Sequence, residues 1–294
     1  MDVQTLWQVP PWEWPNDAGE MLLRALGDDA AHESDRLLAV EMAGDLVVMN
    51  DDLAEALLAI VHNSTAAEAL RATAAISLGP ILEHFDLEGF DDPEDVSLSD
   101  RVIRAIRESL RRVFQDAEIP KEVRRRALEA SVRAREDWHA GSVRAAYHDG
   151  DTDWRLTAVF CMRFVAGFED EIMQVLESDD AELQLQAVTA AGNFEVDAAW
   201  PCIRALVRSE ETEKPLLLAA IDATANIRPE MAFEILAPLT DLEDDDIAAA
   251  VDEALAMAQL FWDEGEDPDF DDLDGDETPM DPLGNGAGGD PTFH

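Results

Sequence analysis

Lysine is nearly missing from this chain. Lys121 and Lys214 are the only two, so almost every basic residue is an arginine. The 21 Lys+Arg face 66 Asp+Glu, a formal net charge of −45. So few cations exclude general binding to nucleic acid or anionic membrane, because phosphate binding depends on clustered cations displacing counterions. Tyrosine occurs once and strand-type β-branched alternation is almost absent, which argues against sheet architectures. Cysteine is limited to Cys161 and Cys202, both inside apolar helical patterns. That is too few for a disulfide framework and points to two buried thiols in a reducing compartment. The opening Met1-Asp2-Val3-Gln4 has neither a basic nor an apolar leader region, so no secretory signal is expected. No stretch approaches the roughly 18 uncharged apolar residues of a membrane span, and the cytoplasm is the expected location.

What is present is ample apolar content, 47% of 294 residues, enough to bury a core. Two explanations compete for the acidity: adaptation to a saline cytoplasm, or one acidic surface made for a basic partner. The acids are spread over nearly every helix and turn, which favours salt adaptation. Self-repulsion at this charge should weaken as ions screen it. The melting temperature is therefore expected to rise between low and molar salt; a flat or falling curve would count against this reading.

Helical periodicity dominates, and one pattern recurs. It reads Leu37-Leu38-Ala39-Val40, Leu70-Arg71-Ala72-Thr73, Arg125-Arg126-Ala127-Leu128, Leu156-Thr157-Ala158-Val159, Leu185-Gln186-Ala187-Val188, Leu217-Leu218-Ala219-Ala220 and Ala249-Ala250-Val251. The shared alanines are separated by 33, 55, 31, 29, 32 and 31 residues. An acidic insertion at about 86–98 accounts for the long interval. A small side chain there lets neighbouring helix backbones approach closely, as stacked helical hairpins require. The pattern predicts seven antiparallel pairs: 17–26 with 34–48, 51–62 with 65–84, 100–114 with 120–135, 137–148 with 153–166, 169–177 with 181–193, 197–208 with 213–225, and 229–240 with 245–261.

Local signals mark the boundaries. Thr65 to Glu68 and Asp179 to Glu182 have capping-box spacing. Pro120 and Pro229 sit where helices begin. Asp197 is placed to cap a helix with Pro201 in its first turn, and Gly79-Pro80 should bend or break the long helix of the second pair. In the helix from Asp100, Ile103, Ile106, Leu110 and Val113 form a buried seam, while Arg101, Arg104, Glu108 and Arg111 face solvent. Residues 1–15 place Trp7, Trp12 and Trp14 among Pro10, Pro11 and Pro15, a segment suited to covering the end of a helix stack, with a recognition peptide as the alternative reading. Residues 263–294 carry twelve acids and no Lys or Arg, the composition of a disordered acidic tail. The expected organisation is a capping segment at 1–15, a solenoid at 16–262 and a tail at 263–294.

A period near 31, paired helices, acidic turns and a second helix opening with Arg and Ala resemble HEAT repeats, notably the short bacterial HEAT-like, phycobilisome-lyase type. The resemblance implies an all-α solenoid of about seven helix pairs and, most often, a binding scaffold or adaptor. It also implies a turn Asp to helix Arg ladder, with Asp149 and Arg155 at the family spacing and Asp28–Arg36 and Asp116–Arg124 as looser matches. Gln184, Leu217 and Ala248 replace the arginine later, so the ladder should lapse after residue 170. The HEAT-like deoxyhypusine hydroxylases bind iron through repeated His-Glu pairs. His32-Glu33 is the one such dipeptide here, and no metal site is expected. Asp272-Leu273-Asp274-Gly275-Asp276 has the opening of a calcium loop, but Leu283 stands where the closing Glu belongs. No nucleophile elbow or phosphate loop is present, and neither enzyme activity nor a cofactor is expected.

The clearest departure from acidity is a basic stretch. Residues 101–144 hold twelve basic residues against seven acids. Arg101, Arg104, Arg111, Arg112, Arg124, Arg125 and Arg126, with Arg155 in the next repeat, are the candidate binding residues for an acidic partner segment, including the chain's own tail. The competing reading is local pairing with Glu108, Glu122 and Glu129 at helical spacing. The sequence thus predicts a non-enzymatic protein-binding scaffold. The alternatives are a HEAT-like enzyme on nucleic acid, resembling the DNA glycosylases through Trp138, Trp154 and Asp137, or a chromophore-lyase-like chaperone.

Overall fold

The computed structural model describes residues 2–28, 30–88, 98–240 and 242–265. Most of the acidic insertion and the tail from 266 lie outside them. A short helix α1 (Val3–Trp7) precedes α2 (Ala18–Leu26) with α3 (Glu33–Ala43), and α4 (Asp51–His62) with α5 (Glu68–Ile76) and its continuation α6 (Gly79–Glu88). Then follow α7 (Asp100–Gln115) with α8 (Lys121–Ser131), α9 (His139–Tyr147) with α10 (Thr152–Cys161), and α11 (Glu169–Leu176) with α12 (Ala181–Asn193). The series closes with α13 (Trp200–Arg208) and α14 (Lys214–Ile227), and α15 (Pro229–Leu236) and α16 (Asp245–Gly265). The members of each pair pack on each other, and the second helices stack in the order α3, α5, α8, α10, α12, α14, α16. This is an all-α solenoid of seven helix pairs among the described residues, and no helix there is long and apolar enough to cross a membrane.

Packing follows the sequence pattern with corrections of register. Ile103, Ile106, Leu110 and Val113 are buried, and Arg101, Arg104, Glu108 and Arg111 are exposed, as the two stripes of α7 require. Helix α5 stops at Ile76 and α6 restarts at Gly79, the break that Gly79-Pro80 predicts. The repeat alanine shifts, however. Arg71 Nε donates to the Val61 carbonyl at 2.9 Å and Arg124 Nε donates to that of Phe114 at 2.9 Å, each ten residues back. Matching these two arginines pairs Ala74, not Ala72, with Ala127. In the last two repeats the fully buried positions are Ala220 and Val251, beside half-buried Ala219 and Ala250. In an alanine-rich chain the residue type alone cannot fix which turn faces the neighbour. Close approach is real where it counts: a Cβ on Gly192 would lie 3.0 Å from Ala223 Cα on α14.

Several caps are also corrected. Helix α5 starts at Glu68 with Ala67 before it, and Thr65 is held by Asn63 Oδ1 instead of forming a capping box. The cap of α12 is Asp180, one residue after the expected Asp179, accepting from the amides of Glu182 and Leu183. Asp197 opens a short 3-10 turn and pairs with Arg228, while Pro201 does lie in the first turn of α13. Cys161 is buried as expected, and Cys202 only partly.

The Asp–Arg ladder takes a different form. Arg71 and Arg124 satisfy carbonyls at the ends of α4 and α7, where the helix dipole favours a cation. Gln184 Nε2 takes over that duty by donating to the Leu176 carbonyl, so the contact outlives the loss of arginine. Asp116 spends its carboxylate on the amide of Glu118, within its own turn. Two inter-repeat clamps are made by the two lysines. Lys121, first in α8, reaches Asp151 at 3.0 Å and Asp153 at 2.6 Å; Lys214, first in α14, reaches Asp244 at 2.8 Å and Asp246 at 2.6 Å. Asp151 and Asp244 also accept backbone amides that open α10 and α16. Hydrogen bonds from the lysines hold both carboxyls below their ordinary range and raise both ammonium groups. Being exposed, these clamps set repeat spacing more than they add stability.

Candidate binding surfaces

The basic stretch separates once its side chains are placed. Arg124 caps α7 and lies over the Trp154 ring, 5.4 Å from its centroid. Arg125 and Arg126 belong to a closed ring of contacts between α8 and α10. Arg125 Nη1 donates to Glu122 at 2.7 Å and its Nε to Thr157 Oγ1 at 2.9 Å. Thr157 donates to Glu129 at 2.6 Å, and Arg126 closes the circuit with Glu129 at 2.7 Å and Glu122 at 2.8 Å. Glu129 is only 3% exposed, so these donors stand in for the water it lacks. Arg101 pairs with Glu55 at 2.6 Å across to α4, and Arg155 lies over Tyr147. Arg104, Arg111 and Arg112 stay exposed on α7 and make no ion pair among the described residues, although Arg111 covers Trp138. Glu122 and Glu129 are thus the local acids that take up arginine.

A second surface lies at the N-terminal end. Helix α1 packs on α3 and α2 and inserts Leu6 fully into the core. The chain then turns through Pro10 and Pro11, and Trp14 Nε1 donates to the Val9 carbonyl at 2.8 Å, fixing the loop. Between this segment and the ends of α3 and α5 runs a groove of about 640 Å³. Trp7, Pro10, Pro11 and Trp14 line one side; Met42, Ile76 and Pro80 line the other. Glu41 and Asp45 also line it and carry no ion pair among the described residues, whereas Arg133, also present, is bound to Glu83 at 2.5 Å and lies over Phe164. Trp7 is 52% exposed and Trp12 80%. Among the described residues the exposed large apolar side chains are Trp7, Trp12, Leu46, Val47, Phe233, Leu242 and Leu260, all in the first and last pairs or the cap. The middle pairs contribute none. Tryptophan and proline in the first fifteen residues were the visible signal for this groove; its opposite side, from the ends of α3 and α5, was not legible.

No family model matches the chain, and no curated protein matches it in sequence. Solved structures similar to it include YibA of Escherichia coli, at 15% identity over 86% of this chain and 85% of that one, with a TM-score of 0.44. Human deoxyhypusine hydroxylase in complex with glycerol matches at 16% identity over 88% of each chain, TM-score 0.40. The complex of CpcE and CpcF of phycocyanin lyase from Nostoc matches at 16% identity over 85% of this chain and 98% of that one, TM-score 0.42. The fold assignment stands on the helix packing itself, and these likenesses carry no argument about function.

Three titratable groups have their shifts set by packing. His139 is 2% exposed; its Nδ1 accepts the Glu136 amide at 3.1 Å, and burial beside Arg111 and Arg107 holds its pKa down at about 4. His62 meets Ser109 Oγ across α4 and α7 at 2.5 Å, and burial likewise lowers it. Burial pushes the Cys161 thiol well up, away from nucleophilic use. His32 precedes α3 and Glu33 begins it, and no group of three or more His, Cys, Asp or Glu among the described residues is arranged to hold a metal. The Asp272 loop lies outside them. Sequence reasoning also missed a stack at the far ends of α8 and α10, where Arg133 and Arg163 both lie against Phe160 and Phe164.

Proposed function

We propose that this protein is a non-enzymatic interaction scaffold of a saline cytoplasm, whose stacked helix pairs hold open a peptide-binding groove at the N-terminal end. The observation that carries the reading is the groove between Trp7–Trp14 and the ends of α3 and α5, with Trp7 half in water beside it. Large aromatic side chains cost little conformational entropy when a partner covers them, which makes them strong interface anchors. An exposed tryptophan at a preformed groove is hard to account for otherwise, since the core already has Leu6 as its plug. An acidic partner segment on the basic stretch would be met by Arg104, Arg111, Arg112 and Arg155, because Arg101, Arg124, Arg125 and Arg126 are engaged within the fold.

A displayed library of short peptides, screened in molar salt, tests this reading. The best binder is expected to lose about tenfold or more in affinity to a Trp7→Ala variant that keeps the wild-type helical circular dichroism. Unchanged affinity in that variant would remove the groove from the account.

A further inference from the structure

We infer that the N-terminal groove takes an extended, proline-bearing peptide segment that carries arginine or lysine. This deepens the scaffold reading and rests on it. The argument begins with shape. Much of the lining is rings and flat apolar faces, with Trp7, Pro10, Pro11 and Trp14 opposite Met42 and Pro80. Such a surface suits a ligand that is already extended and offers rings of its own. A polyproline-type segment meets both conditions, and its backbone has little freedom left to lose on binding.

Charge then selects among such segments. Glu41 and Asp45 lie in the lining without ion-pair partners among the described residues. Helix α3 ends at Ala43 and α5 at Ile76, so two helix C-termini bring their partial negative charge to the same place. The one cation in the lining, Arg133, is neutralised by Glu83 at 2.5 Å and held over Phe160 and Phe164. The groove is therefore apolar with an unbalanced negative edge. The chain's own acidic tail has the wrong sign to occupy it, with twelve acids and no Lys or Arg from 263 to 294. The fitting occupant is a basic segment of another protein, and complementary charge here sets specificity and association rate.

Three fluorescein-labelled twelve-residue peptides test this by polarisation on the full chain: one alternating Pro and Ala with two Arg, the same with Glu for Arg, and the Arg peptide with every Pro replaced by Ala. The Arg–Pro peptide is expected to bind at least about tenfold more tightly than either relative, and to lose about tenfold with Trp7→Ala. A Glu41→Gln, Asp45→Asn variant should bring the Arg and Glu peptides to within about threefold of each other and flatten the salt dependence. Equal binding of the Arg and Glu peptides to wild type, lost with Trp7→Ala, would overturn the charge assignment while leaving the scaffold reading intact. Equal binding of the Pro and Ala peptides would overturn the backbone assignment in the same way. Failure of all three to bind, together with failure of the library screen, would overturn both.

Discussion

Replacing Glu129 by alanine should lower stability by about 3 kcal/mol, near the lower end for breaking one side of a buried ion pair. The variant leaves Thr157 Oγ1 and one arm of Arg126 without an acceptor, in a place where water has little access. Arg126 is half-buried and keeps Glu122, which is why the upper end does not apply. At roughly 2–4 °C per kcal/mol for a chain of this size, the melting temperature should fall by about 6–12 °C. Thr157→Val should cost about 1–3 kcal/mol by orphaning both Arg125 Nε and a Glu129 oxygen, whereas Thr157→Ser should cost less. The site matters because it is where two apolar cores meet. Leu128 of α8 and Val132, just past its end, belong to the core running towards α16, while Val123, Ala127 and Ala130 of α8 belong to the core running back to α1. In a stack where each repeat holds only its neighbours, weakening this junction should broaden thermal unfolding towards two steps. A loss below about 1 kcal/mol for Glu129→Ala, measured by chemical denaturation, would show that the ring does not hold the junction.

The second large effect is the response to acid. His139 has its folded pKa depressed to about 4 from an ordinary 6.5 by burial first, and then by Arg111 and Arg107. Above pH 6.5 the imidazole is neutral in both folded and unfolded chains, and the stabilisation is fully present. Below that, the unfolded chain binds a proton that the folded chain refuses, so stability falls progressively until pH passes about 4. The separation corresponds to about 3 kcal/mol over that window. Carboxylate protonation acts over part of the same range, so the measurement must be differential. His139→Asn keeps a short acceptor for the Glu136 amide but does not titrate. It should be less stable than wild type at pH 7.5, and the gap should close by about 2–3 kcal/mol at pH 4.5. A gap that stays constant with pH would show that the imidazole takes up its proton without cost.

Much of the fold was readable because stacked hairpins repeat their requirements. The seam of α7 from Ile103 to Val113, the break at Gly79-Pro80 and the pairing of helices all follow from periodicity and backbone chemistry. Register was less legible. Ala72 and Ala74 are chemically identical, and only the reach of Arg71 to Val61 shows which of them matches Ala127. Charge patterns were harder still. The run Arg124-Arg125-Arg126 looks like a patch in sequence, yet successive helical residues point about 100° apart. One therefore caps α7 while the next two meet Glu122, Thr157 and Glu129. Thr157 lies about thirty residues from the arginine it contacts, and no local pattern announces it. The groove needed the same kind of distant partner: its tryptophans and prolines are local, but Met42, Ile76 and Pro80 reach it only through the stacking of α3 on α5.

Hydrogen–deuterium exchange, with and without a saturating Arg–Pro peptide, tests the central claim most directly. The account predicts slowed exchange confined to residues 7–14, 41–45 and 76–80, the three stretches that meet at the groove. Protection appearing instead along residues 101–126, with those three stretches unchanged, would contradict it and return the binding surface to the exposed arginines of α7.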